Sequence, residues 1–144
     1  MYDVNTKRID QVFVHMNKML ELLETLNDRG MEAVVADEVA VAAMERGLHL
    51  SIEAVIDVGN ALIDGFIMRD PGSYSDIVEI LRDEQVIDEH QARVLTQVTD
   101  FRKHLVNEYT DVPVPQMLEV VQDSLPTLRQ FEPAVRAYLD KELF

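Results

Sequence analysis

Cysteine and tryptophan are both absent from this chain. Without cysteine there is no disulfide framework, no thiolate zinc site and no thiol nucleophile. Glycine and proline number five each in 144 residues, too few for a collagen-like or low-complexity chain. No apolar run reaches the roughly 18 residues of a membrane-spanning helix. Met1-Tyr2-Asp3-Val4-Asn5 lacks the basic and apolar blocks of a leader, so a cytoplasmic location without membrane contact is expected. Positive charge is scarce: 13 Lys and Arg stand against 27 Asp and Glu, a net charge of −14. A field of that sign repels nucleic acid in general, so any phosphate site has to be local. The four histidines, His15, His49, His90 and His104, include no pair four apart, which removes a helical two-histidine metal site. No phosphate-binding glycine loop and no serine elbow is present. Neither metal nor cofactor is expected.

What is present is helical patterning. Apolar residues make up 47% of the chain, enough for a core, and they recur at helical spacing. From about Asn5 to Asp28, Ile9, Val12, Phe13, Met16, Met19, Leu20, Leu23 and Leu26 form one stripe. Asn5 or Thr6 caps its start and Gly30 ends it. Residues 31–36 are a short connection with room for one helical turn. The segment from about Asp37 to Met68 is apolar almost all round, which predicts the central, buried helix. Gly47, Ser51, Ala54, Val58, Ala61 and Gly65 line one face, small enough for another helix to come close. With Gly59 the segment holds three glycines, each costing about 1 kcal/mol against alanine in a helix, so packing must require them. A third face reads Arg46, Leu50, Glu53, Asp57, Asn60 and Asp64. Polar groups on a buried helix need partners.

Asp70-Pro71-Gly72-Ser73 stops this helix. Ser73 or Ser75 caps a short helix with Ile77, Ile80 and Leu81 turned inward. Asp88 caps the next, whose pattern is read to about Tyr109. Residues 110–115, with two prolines, break it. The last segment, Pro115 to about Leu143, keeps its register across Pro126 and Pro133, which should kink rather than end it. No stretch alternates at period two. The expected fold class is all-α, an up-down bundle of about five helices in a single domain over residues 1–144. The long second helix carries more apolar and small-residue surface than five helices can cover, which predicts a two-fold homodimer.

One constellation offers chemistry: Phe101-Arg102-Lys103-His104-Leu105-Val106-Asn107-Glu108-Tyr109. On a continuous helix Arg102 and Tyr109 lie about two turns apart and share a face. A guanidinium binds phosphate through paired hydrogen bonds. A phenol donates a proton, stacks or accepts a modification. Asn107 is about 140° round from Arg102 and joins them only if the helix end is distorted or a two-fold axis supplies a second copy. The stripe Asp57, Asn60, Asp64 lacks the Glu-x-x-His partners of a di-iron bundle and reads as a polar seam.

Arg-x4-His-x-Tyr near the end of a late helix marks the HEPN superfamily, and Arg102 to Tyr109 resembles it. The stretch Glu45-Arg46-Gly47-Leu48-His49-Leu50-Ser51-Ile52-Glu53-Ala54-Val55-Ile56-Asp57-Val58-Gly59-Asn60 resembles the long second helix of the HepT-like branch. So does Asp70-Pro71-Gly72-Ser73-Tyr74-Ser75-Asp76-Ile77 with Leu81 after it. The resemblance covers most of the chain and is strongest to the YutE-like subgroup. It implies a helical bundle that dimerises about a two-fold axis with two motif copies in one cleft. It implies a ribonuclease toxin that needs no metal, encoded beside a nucleotidyltransferase antitoxin of the MntA type that adds AMP to the motif tyrosine. Carried onto this sequence, Arg102 would bind the scissile phosphate, Tyr109 would be the modification site and Lys103 would add positive potential.

One residue departs from the motif. Asn107 stands at the histidine position, and an amide does not titrate. Cleavage through a 2′-hydroxyl uses a general acid and base, so the catalytic set Arg102, Asn107 and Tyr109 lacks that group. His104 is one turn away from Asn107 and is the nearby alternative. Glu53 or Asp57 is expected to pair with Arg102 across the bundle and orient it. Three functions are consistent with these residues: a HepT-like ribonuclease toxin with a degenerate motif, a non-catalytic module that binds RNA or nucleotide, and a protein-binding partner of a nucleotidyltransferase. The net charge of −14 suits a basic partner surface in the third.

Overall fold

In the computed structural model, which describes residues 2–143, every regular element is helical. The order is α1 (Thr6–Asp28), α2 (Met31–Val35), α3 (Glu38–Phe66), α4 (Tyr74–Asp83), α5 (Glu89–Asp100), α6 (Arg102–Val106), a 3-10 turn (Tyr109–Asp111) and α7 (Val114–Leu143). Five of these helices have ten or more residues, and α2 and α6 are single turns. The all-α bundle expected from the periodicity is therefore present.

The caps follow from side-chain chemistry. Asn5 accepts from the Arg8 amide at 3.1 Å, and Asp37 accepts from Val39 and Ala40 at the head of α3. Ser73 accepts from Asp76 at 3.1 Å and starts α4. Asp88 and Gln91 bond reciprocally at the head of α5, a capping box that satisfies two orphan amides. Gly30 takes φ +87° between α1 and α2, a conformation that favours glycine. Helix α7 runs through Pro126 and Pro133 without ending.

Helix α3 is the axis of the molecule, packed on α1, α2, α4, α6 and α7. Leu48, Ile52, Val58 and Leu62 on it are fully buried, against Ile9, Phe13 and Leu20 of α1 and Phe131 and Val135 of α7 within one core. Its three glycines are used inside the chain. A Cβ on Gly47 would meet Leu23 of α1 at 3.1 Å, one on Gly59 would meet Ile77 of α4 at 2.5 Å, and one on Gly65 would meet Val4 at 2.8 Å. The small-residue face is thus filled by neighbours from the same chain. Much of the surplus surface that argued for a second copy is covered by the same chain, while Val39 stays 77% exposed and Leu50 and Ala61 half-buried.

Helices α1 and α7 are tied by charge. Arg129 binds both oxygens of Glu24, at 2.5 and 3.0 Å. That hydrogen bond holds the Glu24 carboxyl below its ordinary value of 4.5, against the opposing push of desolvation. A lowered folded-state value means stability that is present above the unfolded value and lost as pH falls through the folded one. Both side chains are over a third exposed (36% and 39%), so the pair contributes about 0.2–1 kcal/mol. Arg129→Ala should lower the melting temperature slightly at pH 7. Thermal unfolding at pH 7 and near pH 3 checks this, and the gap between wild type and variant should close at the lower pH.

Candidate functional site

The fifth helix does not reach Tyr109 as its pattern suggested. It stops at Asp100, turns at Phe101, and resumes as α6. The Phe101 amide is shared between the Gln97 and Val98 carbonyls, and His104 bonds back to Phe101 three residues away. That tightening buries the Phe101 side chain and lets Arg102 reach α3. Helix α6 ends at Val106, where the Asn107 and Glu108 amides both bond to the Lys103 carbonyl. Tyr109 then begins the 3-10 turn and is 67% exposed. The face expected to join Arg102 and Tyr109 is lost within the chain, because the helix that carries Arg102 ends at Val106, before Tyr109.

Arg102 is mostly buried and held on two sides. Its Nε donates to Oε1 of Glu53 at 2.5 Å. Its guanidinium carbon lies 4.5 Å from the centre of the Tyr74 ring, within cation–π range. Nε2 of His49, four residues earlier on α3, lies 3.5 Å from the same Glu53 oxygen. Nδ1 of His49 lies 3.3 Å from Arg46. Arg46, His49 and Glu53 sit on one face of α3 at helical spacing, and Glu53 passes that order to Arg102.

Of the two carboxylates expected to serve Arg102, only Glu53 does so. Asp57, one turn further along α3, pairs with Arg8 of α1 at 3.5 Å. Burial pushes the Asp57 carboxyl above its ordinary value, Arg8 pulls it back and Glu53 adds to the rise. Asp57 belongs to the α1–α3 contact rather than to the arginine.

A shallow groove of about 260 Å3 opens beside Arg102. Tyr74 and the Ser73 and Ser75 residues at the head of α4 form one wall, and Arg102, Lys103 and Asn107 form the other, with Thr99 and Asp100 between. The distorted end of α6 thus brings Asn107 to the same groove as Arg102 with no second copy involved. His104 goes elsewhere. It packs on Phe101 with ring centres 5.0 Å apart and bonds to Glu108 at 2.8 Å. It lines a different cleft, of about 390 Å3, between α5–α6 and α7. Lys103 borders both. The structure therefore gives Arg102, Lys103 and Asn107 one groove, and places His104 and Tyr109 outside it.

Tyr74 and His49 were not among the candidates. The spacing of His49 to Glu53 was readable on a helix. The arrival of Tyr74 under Arg102 was not, since the two are brought together by the packing of α4 against α3 and α5.

The sequence signature of the family described as Ribonuclease HepT-like matches residues 16–135. The chain belongs to the HepT-like family. A HepT-like relative, YutE of Bacillus subtilis (strain 168), which bears a provisional ribonuclease name, is 35% identical over 99% of this chain and 95% of its own. Its solved structure, described as that of a cytosolic protein of unknown function, superposes with a TM-score of 0.90, covering 99% of this chain and 96% of that one. An AMP-modified HEPN toxin of Shewanella oneidensis, solved in complex with its MNT antitoxin, has the same fold. Its TM-score is 0.80 at 19% identity, over 90% of this chain and 96% of the toxin.

Proposed function

We propose that this HepT-like protein is the toxin-side component of a pair with an MntA-type nucleotidyltransferase antitoxin, and that it acts on RNA at the Arg102 groove. The anchored guanidinium carries the reading. Arg102 is fixed by Glu53 through Nε, while its terminal nitrogens donate no hydrogen bond to any described residue. A fixed arginine with a free donor edge in a groove is suited to a phosphodiester. Lys103 adds charge there, and Asn107 offers an amide that both donates and accepts. Tyr109, half exposed or more on its turn, is accessible to an enzyme that transfers AMP. A homodimer that brings two grooves together belongs to the same reading and rests on the family resemblance alone.

With no titrating group in the groove at position 107, cleavage by the natural chain is slow. A non-catalytic module that binds RNA at the same residues is the second reading, and Asn107 is the observation that favours it. A cleavage time-course on total RNA and tRNA, in EDTA, decides between them. Slow cleavage is expected from the wild type. Arg102→Ala should reduce it by about 10²–10³-fold, the usual cost of removing one donor to a developing charge. RNA binding that depends on Arg102, with no products, would move the conclusion to the second reading. Co-purification with the nucleotidyltransferase and no affinity for RNA would sink both.

A further inference from the structure

We propose that Tyr74 is a positioning residue for Arg102: its ring and Glu53 form a two-sided clamp that presents the free edge of the guanidinium to a phosphodiester. The ligand class rests on the RNA reading above; the clamp itself rests on geometry. A guanidinium has five N–H donors on three nitrogens. Glu53 takes the one on Nε, and the Tyr74 ring covers one face at 4.5 Å. The four donors on the terminal nitrogens are left for the groove.

Glu53 alone would not hold this pose. One hydrogen bond to Nε leaves the plane of the guanidinium free to swing. Asp100 lines the same groove, and the chain carries a net charge of −14, so a loose arginine would find a second carboxylate. The aromatic face fixes the plane without consuming a donor, which a carboxylate in its place would do. Tyr74 keeps 47% of its surface exposed, and it is held by its backbone. It is the first residue of α4 behind the Ser73 cap, and Ile77 of the same helix rests on Gly59 of α3. Both arms of the clamp thus come from α3 and the helix seated on it.

The test is a double-mutant cycle on binding, read by fluorescence anisotropy. The probe is a labelled, fully 2′-O-methylated single-stranded oligonucleotide, which cannot be cleaved through its 2′-hydroxyls. Tyr74→Leu should weaken binding about 3- to 30-fold, and Tyr74→Phe, which keeps the ring, should bind within twofold of wild type. In an Arg102→Ala background Tyr74→Leu should have no further effect. Equal loss with and without Arg102, or no loss at all, overturns the clamp. Exchange of the Arg102 Nε–H with water, followed by 15N NMR on the free protein, is the second readout. It should be slow in wild type and Tyr74→Phe and fast in Tyr74→Leu. If Arg102→Ala leaves binding unchanged, the RNA reading fails, and the NMR exchange alone then decides the clamp. Unchanged exchange in Tyr74→Leu would overturn it.

Discussion

Asn107→His is expected to raise RNA cleavage by about 10²–10⁴-fold, the range that positioned acid–base catalysis supplies. The Asn107 backbone N–H donates to the Lys103 carbonyl and closes α6, and the residue borders the groove with Arg102. Its side chain is exposed, so an imidazole adds no buried polar group and should leave the melting temperature unchanged. An imidazole titrates near pH 6.5 when unperturbed, so the variant should gain a pH-dependent limb in that region that the wild type lacks. Asn107→Gln should gain nothing, because an amide of any length does not titrate. Arg102→Ala should abolish the gain, because the phosphate would no longer be held. A time-course across pH 5–9 on tRNA checks all three. A folded Asn107→His protein with no gain would mean that the groove does not hold a scissile phosphate in reach of residue 107.

The helical frame was legible in the residues, and the site only in part. Caps are local chemistry, so Asp88 marked its helix from sequence, and Asn5 and Ser73 were each one of two candidates for theirs. The burial of α3 was legible because its apolar residues surround the axis. The break at Phe101 was not. Nothing in Asp100-Phe101-Arg102 is a helix breaker, and the apolar spacing continues through Leu105. The turn comes from tertiary demand: Phe101 buries its ring while Arg102 reaches Glu53, 49 residues away in sequence. The angular arithmetic that joined Arg102 to Tyr109 fails at the other end of α6, where the helix stops at Val106 and the Asn107 and Glu108 amides share the Lys103 carbonyl, and that distorted end brings Asn107 to the groove. The Glu53 partnership was foreseeable as a charge needing a countercharge. Choosing Glu53 over Asp57 was not, because the two are one turn apart and only the placement of Arg8 separates them.

Gly59→Ala should destabilise the fold by about 1–3 kcal/mol, the usual cost of overpacking a tight contact, whereas Gly47→Ala should be near neutral. On helix propensity alone both should gain about 1 kcal/mol, so the difference isolates packing. At Gly47 the new methyl would meet the Leu23 terminal methyl at 3.1 Å and that of Leu22 at 3.3 Å. Those are the far ends of flexible side chains, which can give by a few tenths of an ångström. At Gly59 it would lie 2.5 Å from Cγ2 of Ile77. Ile77 is β-branched and on a helix, so its χ1 has one strongly preferred setting, and its side chain is buried. Relief therefore comes by moving α4 away from α3. That movement carries a functional signature, because α4 begins with Tyr74 and the Tyr74 ring lies against Arg102. Gly59→Ala should accordingly lower both the melting temperature and the affinity for single-stranded RNA, with Gly47→Ala changing neither by much. Denaturant unfolding of both variants, beside anisotropy binding at a temperature where each is fully folded, separates the two effects. Equal stability of the two variants would mean that Ile77 repacks without displacing its helix.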